Sequence, residues 1–301
     1  MNWATDILAS PGVERDRVLE YPMSGADPSV AYYEQIGGAH FRERSAVGYA
    51  FSSLDTPVYH EYLKAFFCDD RDAVIVDVGG GDGRNAQPWL EHGFTRVVVV
   101  DPVSAALRRF RDWVAGNHPE WLDRILLIRA DARALPLRDG VAGRVLAIES
   151  LCYLNEDEAL GVAECARVLA PEGRFLIAER DWEGALLVSL LYYGGVEGML
   201  RLGQGRDMWD GVGAARVRSR VATEEEVRRL LAAAGLVVES VSGVSGFSVV
   251  LGFLRPAGQL SADPDARLPE LRRLLLELGA SGRFRRAHVA VARHERLIPE
   301  P

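Results

Sequence analysis

Lysine is nearly missing from this chain: Lys64 is the single one among 35 Lys and Arg residues in 301. The arginine skew reflects a GC-rich coding sequence and points to no chemistry. Cysteine is scarce too. Cys68, Cys152 and Cys165 are odd in number and lack metal-type spacing, which excludes a disulfide framework and fits a reducing cytoplasm. No run approaches the ~18 apolar residues of a membrane span. The opening MNWATDILASPGVERD carries acids and no apolar stretch of signal length. A soluble, cytoplasmic protein with no membrane partner is the expectation. Basic excess is also absent: the net charge is −8, which argues against a nucleic-acid backbone as the main partner. The local cluster Arg283, Arg285 and Arg286 reads as a solvated face. Internal repeats and low-complexity segments are lacking, and the near-half apolar content is that of an ordinary globular chain, one large domain or one domain with additions.

What is present is a pair of strand-like runs around a glycine turn. Val74 to Asn85 reads VIVDVGGGDGRN, and the next run, VVVV, ends in Asp101. An apolar β-branched run breaking into glycines, followed by a second run ending in an acid, is the pattern of a nucleoside-binding βαβ unit. Glycines remove side chains where the backbone must bend and approach a ligand. An acid at the end of the second strand can accept hydrogen bonds from two ribose hydroxyls. Asp82 inside the turn sharpens the reading. A dinucleotide would place its pyrophosphate at this helix N-terminus, facing a carboxylate, whereas a cationic nucleoside would not be repelled.

The segment resembles motif I of the class I S-adenosylmethionine-dependent methyltransferases, whose D-x-G-x-G-x-G is matched by Asp77, Gly79, Gly81 and Gly83. RADARALPL, Arg129 to Leu137, is similar to the family's third acidic station, and ARVLAPEGRFLIAER resembles its turn before the fifth strand, with Glu172 where glycine is usual. The likeness covers roughly Val74 to Arg180. It implies that Asp77 anchors the methionine amino group through water or backbone, that Asp101 holds the ribose, and that Asp131 lies near the adenine amino group with Ala132 presenting backbone to it. Glu149 and Ser150 would line the methionine moiety and the path to the acceptor. Gly79, Gly80, Gly81, Pro102 and an N-terminal aromatic, Tyr33 or its neighbour Tyr32, would complete the cofactor site. S-adenosylmethionine would be the cofactor and S-adenosylhomocysteine the product.

From Ala73 onward strands and helices alternate. Residues 73–78, 96–101, 125–130, 144–150 and 174–180 read as short buried strands, with helices near 85–92, 104–117 and 156–169. Thr223 and Glu226 form a capping box for a helix over 223–234, followed by a strand at 236–241, a helix at 268–278 and a strand at 287–293. This alternation predicts an α/β fold, a mostly parallel doubly wound sheet. Seven strands match the resembled family, in which the last strand runs antiparallel beside the sixth. Residues 1–70 are expected to form an N-terminal helical lid on the acceptor side. Residues 71–301 would be the methyltransferase domain, with an insert at 181–220 built as a helix followed by a loop. Ligands bind beyond the carboxyl ends of such strands, where both additions fall. In the insert, Tyr192, Tyr193, Met199, Met208 and Trp209 suit core packing or an apolar acceptor pocket.

For catalysis, His40, Glu149 and Tyr153 are the candidates, with His60 the other histidine placed to reach the pocket; His92, His118, His288 and His294 suit surface or core. A base is needed only if the acceptor must lose a proton. Methyl transfer to oxygen, nitrogen or carbon of a small molecule, of the kind found in specialised natural-product metabolism, is the expected activity. No metal station is visible, so no metal dependence is expected, and a homodimer is compatible with the chain. Three alternatives compete. An aminopropyltransferase of the spermidine-synthase type needs a carboxylate cluster after the fourth strand, where Glu149 stands alone. A non-catalytic partner subunit would be expected to lose the glycine motif. A nicotinamide oxidoreductase is disfavoured by Asp82 and by a seventh strand.

Overall fold

Runs of valine and isoleucine, too short for helices and buried along their length, build the centre of the molecule. A computed structural model describes residues 2–23, 25, 27–36, 53–212, 215–255, 267–282 and 284–295. In chain order the elements are α1 (Asn2–Ile7), β1 (Val13–Arg15), β2 (Val18–Glu20), α2 (Pro28–Ile36) and α3 (Thr56–Phe66). The alternating region contains β3 (Val74–Val78), α4 (Gln87–Glu91), β4 (Arg96–Val100), α5 (Ser104–Asn117), β5 (Ile125–Arg129) and β6 (Ala142–Ile148). A 3-10 segment at Leu151–Asp157 leads into α6 (Glu158–Val168) and β7 (Leu169–Arg180). Beyond it lie α7 (Trp182–Tyr192), α8 (Gly195–Gly205), β8 (Asp207–Val212), β9 (Ala215–Arg220), α9 (Glu224–Ala233), β10 (Leu236–Ser245), α10 (Phe247–Leu254), α11 (Leu268–Ala280) and β11 (Arg285–His294).

The main sheet runs β1-β2-β5-β4-β3-β6-β7-β11-β10. The strands β2, β5, β4, β3, β6 and β7 pair in parallel, while β11 is antiparallel to both β7 and β10. The expected seven strands and the reversed last strand are therefore present, with a short β1–β2 hairpin added at the β5 edge. That hairpin corrects the expectation of a purely helical N-terminal region. Its strands are three residues each, too short for a period-2 pattern to show.

Alternate residues of each strand feed two cores. One face joins Val76, Val98 and Ile177 to Val162, Cys165 and Leu231; the other joins Ile75, Val97 and Leu176 to Tyr59, Leu63, Trp89 and Phe110. Each such fully buried side chain contributes ~1.5–3 kcal/mol, so the doubly covered sheet is the rigid base on which the loops stand. The insert is a helix pair and a β8–β9 hairpin, not a helix and loop, and its Ala185, Val188, Leu202 and Met208 form a small core with Val221 and with Val249 of α10. The expected solvated face at 283–286 is also corrected: Arg285 and Arg286 are buried, while Arg283 lies outside the described residues. No helix among the described residues is long and apolar enough to cross a membrane.

Candidate functional site

The strand order reverses at β3, which sends the chain to β4 on one side and carries β6 on the other. A crevice opens at such a switch point, beyond the carboxyl ends of the strands. The glycine turn leaves β3 here, and Glu149 and Ser150 leave β6. Gly79 has φ +73°, and a Cβ on it would stand 2.2 Å from the Ser150 Cβ. The Ser150 hydroxyl donates to the Val78 carbonyl at 2.7 Å, tying the two strand ends together. Only glycine permits both that dihedral and that approach. Gly83, with φ +76°, likewise leaves room for the Phe110 ring, 2.3 Å from where its Cβ would be.

A cavity occupies the crevice. Tyr33, Gly79, Gly80, Gly81, Asp101, Pro102, Asp131, Ala132, Glu149, Ser150 and Tyr153 all line it. Asp101 closes its floor: Oδ2 accepts from the Gly81 N–H at 2.8 Å and Oδ1 from the Val103 N–H at 2.8 Å. Burial pushes its carboxyl up to about 6, the two backbone donors pull it down, and Asp82 and Glu34 push it up further. Asp77 sits behind the turn rather than on the cavity wall. Among the described residues neither of its carboxyl oxygens has a hydrogen-bond partner, and burial, then the Asp101 charge, push it up to about 7. Asp131 shares its carboxylate with Arg133, whose Nη2 donates at 2.7 Å while Nη1 reaches Asp157 at 2.8 Å.

Glu149 is corrected as a candidate base. It ends β6 with φ +51°, a left-handed dihedral that costs a non-glycine residue about 1–3 kcal/mol. Its carboxylate receives Arg286 Nη1 at 2.9 Å, Arg286 Nη2, and the Tyr59 hydroxyl at 2.6 Å. Burial alone would raise its pKa, but the Arg286 guanidinium, Arg180 and the Tyr59 hydrogen bond outweigh that and hold it well below the usual carboxylate range. A carboxylate so stabilised accepts a proton poorly. Arg286 also contacts Asp55, Nε to Oδ2 at 2.7 Å.

Among the other candidates, His40 lies outside the described residues. His60 Nε2 stands 2.9 Å from the Arg84 carbonyl, and burial pushes its pKa down to about 4; the neutral ring donates there and steadies the glycine turn. Tyr153 remains, on the cavity wall, with its hydroxyl 2.6 Å from that of Tyr33. Of the insert residues, Tyr192, Tyr193 and Met208 belong to the insert's small core and Trp209 is half exposed; with Met199, none of them lines the cavity. Sequence reasoning missed Met23, Asp27, Ser29 and Val30, which line the cavity from the N-terminal region, and Arg84 and Arg109 opposite them. Asp27 had a local signal: its Oδ1 caps α2 by accepting from the Ser29 N–H at 2.8 Å, and Asp-Pro-Ser is a helix start. Among the described residues no group of His, Cys, Asp or Glu is placed to hold a metal ion.

A family model described as a methyltransferase domain matches residues 76–177. The ubiquinone/menaquinone biosynthesis C-methyltransferase UbiE of Acidiphilium cryptum (strain JF-5) is 28% identical over 185 residues, 62% of this chain and 65% of that protein. The malonyl-[acyl-carrier protein] O-methyltransferase of Geobacter sulfurreducens is 32% identical over 139 residues, 45% of this chain and 49% of that protein. The chain thus spans less than two thirds of these relatives. Among solved structures, the CcbJ methyltransferase from Streptomyces caelestis shares the fold with TM-score 0.59 at 17% identity, covering 90% of this chain and 100% of that one.

Proposed function

We propose that the chain is a class I S-adenosylmethionine-dependent methyltransferase that transfers the methyl group of S-adenosylmethionine to a small-molecule acceptor, a reading supported by the methyltransferase-domain match over residues 76–177 and by the similarity to the methyltransferases named above. The observation that carries this reading is the Gly81 N–H bound to Asp101 at the cavity floor, which presents a carboxylate at the end of β4 where ribose hydroxyls are held in this fold. The residues present fit the cofactor. The turn is open because glycines form it, and the buried Asp77 carboxyl, without a hydrogen-bond partner among the described residues, supplies unneutralised acid character behind the place where an ammonium would lie. Asp82, Asp101 and Asp131 add acids to the wall, suited to a ligand that carries two positive charges against one carboxylate.

S-adenosylmethionine supplies a methyl group already activated on sulfonium, so transfer is an in-line displacement. The protein's part is alignment and exclusion of water, and proximity with orientation supplies ~7–11 kcal/mol of such a barrier. Tyr33 and the start of α2 cover the cavity from the N-terminal side, which supports residues 1–70 as the lid. The unpaired cysteines support a reducing, cytoplasmic setting. Relatives named for a quinone pathway and for an acyl carrier protein favour an acceptor built in biosynthesis, a natural-product intermediate included. The aminopropyl alternative loses ground, because Glu149 is neutralised by Arg286 and offers no carboxylate to a diamine.

Calorimetric titration of wild type and Asp101→Ala with S-adenosylmethionine and S-adenosylhomocysteine tests the proposal. Micromolar binding in the wild type, weakened about tenfold or more in the variant, a loss of ~1.4 kcal/mol, is the expected result. A wild type that binds neither ligand would refute it.

A further inference from the structure

We propose that Arg180, the last residue of β7, is the positioning residue of the acceptor side, holding the Tyr153 hydroxyl as the group that removes the acceptor's proton. This rests on the methyl-transfer reading and adds a residue that neither the motifs nor the cavity wall single out. Arg180 is buried at 7% exposure. Its Nη2 donates to Tyr153 Oη at 2.7 Å, its Nη1 donates to Ser219 Oγ at 2.7 Å, and its guanidinium carbon stands 5.1 Å from the Tyr153 ring centroid. The Tyr33 hydroxyl meets the same Tyr153 oxygen at 2.6 Å, and the two rings pack edge to face at 5.5 Å.

The chemistry follows from who can donate. A guanidinium has donors only, so Tyr153 Oη is an acceptor towards Arg180. Charge-assisted bonds of this kind are the stronger class, and hydrogen bonds plus an opposite charge favour the ionised form of the acceptor group. Among the described residues, Tyr33 from α2 and Arg180 from β7 meet the Tyr153 hydroxyl, and Glu149, just after β6, neighbours Arg180. Glu149 is held by Arg286 through two nitrogens and stands 3.6 Å from Arg180 Nε. Arg180 therefore directs its two terminal nitrogens to Tyr153 and Ser219. In the transfer, the acceptor heteroatom forms the bond to the methyl carbon with its own electron pair, and the carbon–sulfur pair goes to sulfur. The acceptor's proton goes to the Tyr153 phenolate oxygen and leaves to solvent before the next turnover. Ser219 lies on β9, so the insert acts on the chemistry by fixing the arginine and not by lining the pocket.

The test reads the phenolate absorbance of Tyr153, obtained as the difference between pH titrations of wild type and Tyr153→Phe. That difference is expected to appear at lower pH than the other tyrosines. Arg180→Met should move it up by about one pH unit or more, and Arg180→Lys should keep most of the wild-type position, a rescue that a purely structural role would not give. Should Arg180→Met fail to fold, Arg180→Gln decides: it keeps a polar side chain, removes the positive charge, and should shift the titration the same way by less. A Tyr153 titration that is unchanged by Arg180→Met, or by Arg180→Gln where that variant must decide, would overturn the assignment. S-adenosylhomocysteine titrated into the same samples separates the two ideas. Binding with an unchanged Tyr153 titration removes the role of Arg180 alone, and no binding by wild type removes the methyl-transfer reading itself.

Discussion

At the scale of single residues, the most consequential group is Arg286, buried at 2% exposure between Glu149 and Asp55. Burial pushes Asp55 up to about 6 while Arg286 pulls it down, so the arginine holds two buried acids that would otherwise repel each other. Removing one partner of a buried pair leaves an uncompensated charge, which costs ~3–5 kcal/mol. We predict a loss of that size for Arg286→Met in urea denaturation, and a smaller loss in Arg286→Met combined with Glu149→Gln. A cost below about 1 kcal/mol for the single variant would mean the pair is solvated. Asp101 was legible in the sequence because its chemistry is tied to a strand end and a glycine spacing. Arg286 was not: it sits beside Arg285 in what reads as a basic patch, and its partner is 137 residues away. The same distance hid the true state of Glu149, whose position after β6 is visible while its counter-ion is not.

Among the elements, α5 shows how the N-terminal region is fastened to the site. Its N-cap is Val103, which offers no side-chain cap. The cap comes from α2 instead: the Glu34 carboxylate accepts from the Ser104 N–H at 2.6 Å and the Ala105 N–H at 3.3 Å. An acid at a helix N-terminus satisfies unpaired donors and complements the helix dipole. Glu34→Ala is expected to cost ~1 kcal/mol and to speed amide hydrogen exchange in α2 more than in β3 or β4. Equal protection of α2 in both proteins would show that other contacts hold it. By contrast, the capping box of α9 was readable, since Thr223 and Glu226 are three residues apart, and both of its bonds are formed. The sheet strands were readable for a similar reason: buried on both faces, they appear as unbroken valine runs. The β1–β2 and β8–β9 hairpins carry no such run, as in β9, whose ARVRSR places arginines at alternate positions.

For the whole molecule, the buried acids behind and beside the glycine turn, Asp77 on β3 and Asp101 after β4, set a pH dependence of unusual sign. Burial pushes the Asp77 carboxyl up to about 7 and the Asp101 carboxyl up to about 6, from an ordinary 3.8. Between about pH 4 and about pH 7 the folded state therefore binds protons that the unfolded chain has released, and stability falls as pH rises through that window. Carboxylates in ion pairs do the reverse: Glu149, held low, contributes stability above its unfolded pKa that is lost as pH drops. Asp55 shares the raised direction, so one variant is needed to isolate the turn. Asp77→Asn removes its charge without adding volume and should flatten the decline in stability between about pH 4 and about pH 7, a difference on the order of a few kcal/mol at most. On the proposed cofactor reading ligand binding runs with the opposite slope, because the ionised form of Asp101 is the one that would accept ribose hydroxyls. The stabilisation given by S-adenosylmethionine should therefore grow as pH rises through about 6 and lose that growth in Asp101→Asn. Differential scanning calorimetry across this range, with and without the ligand, measures both slopes. A wild-type decline matched in full by Asp77→Asn would show that the decline comes from Asp101 or Asp55 and not from Asp77.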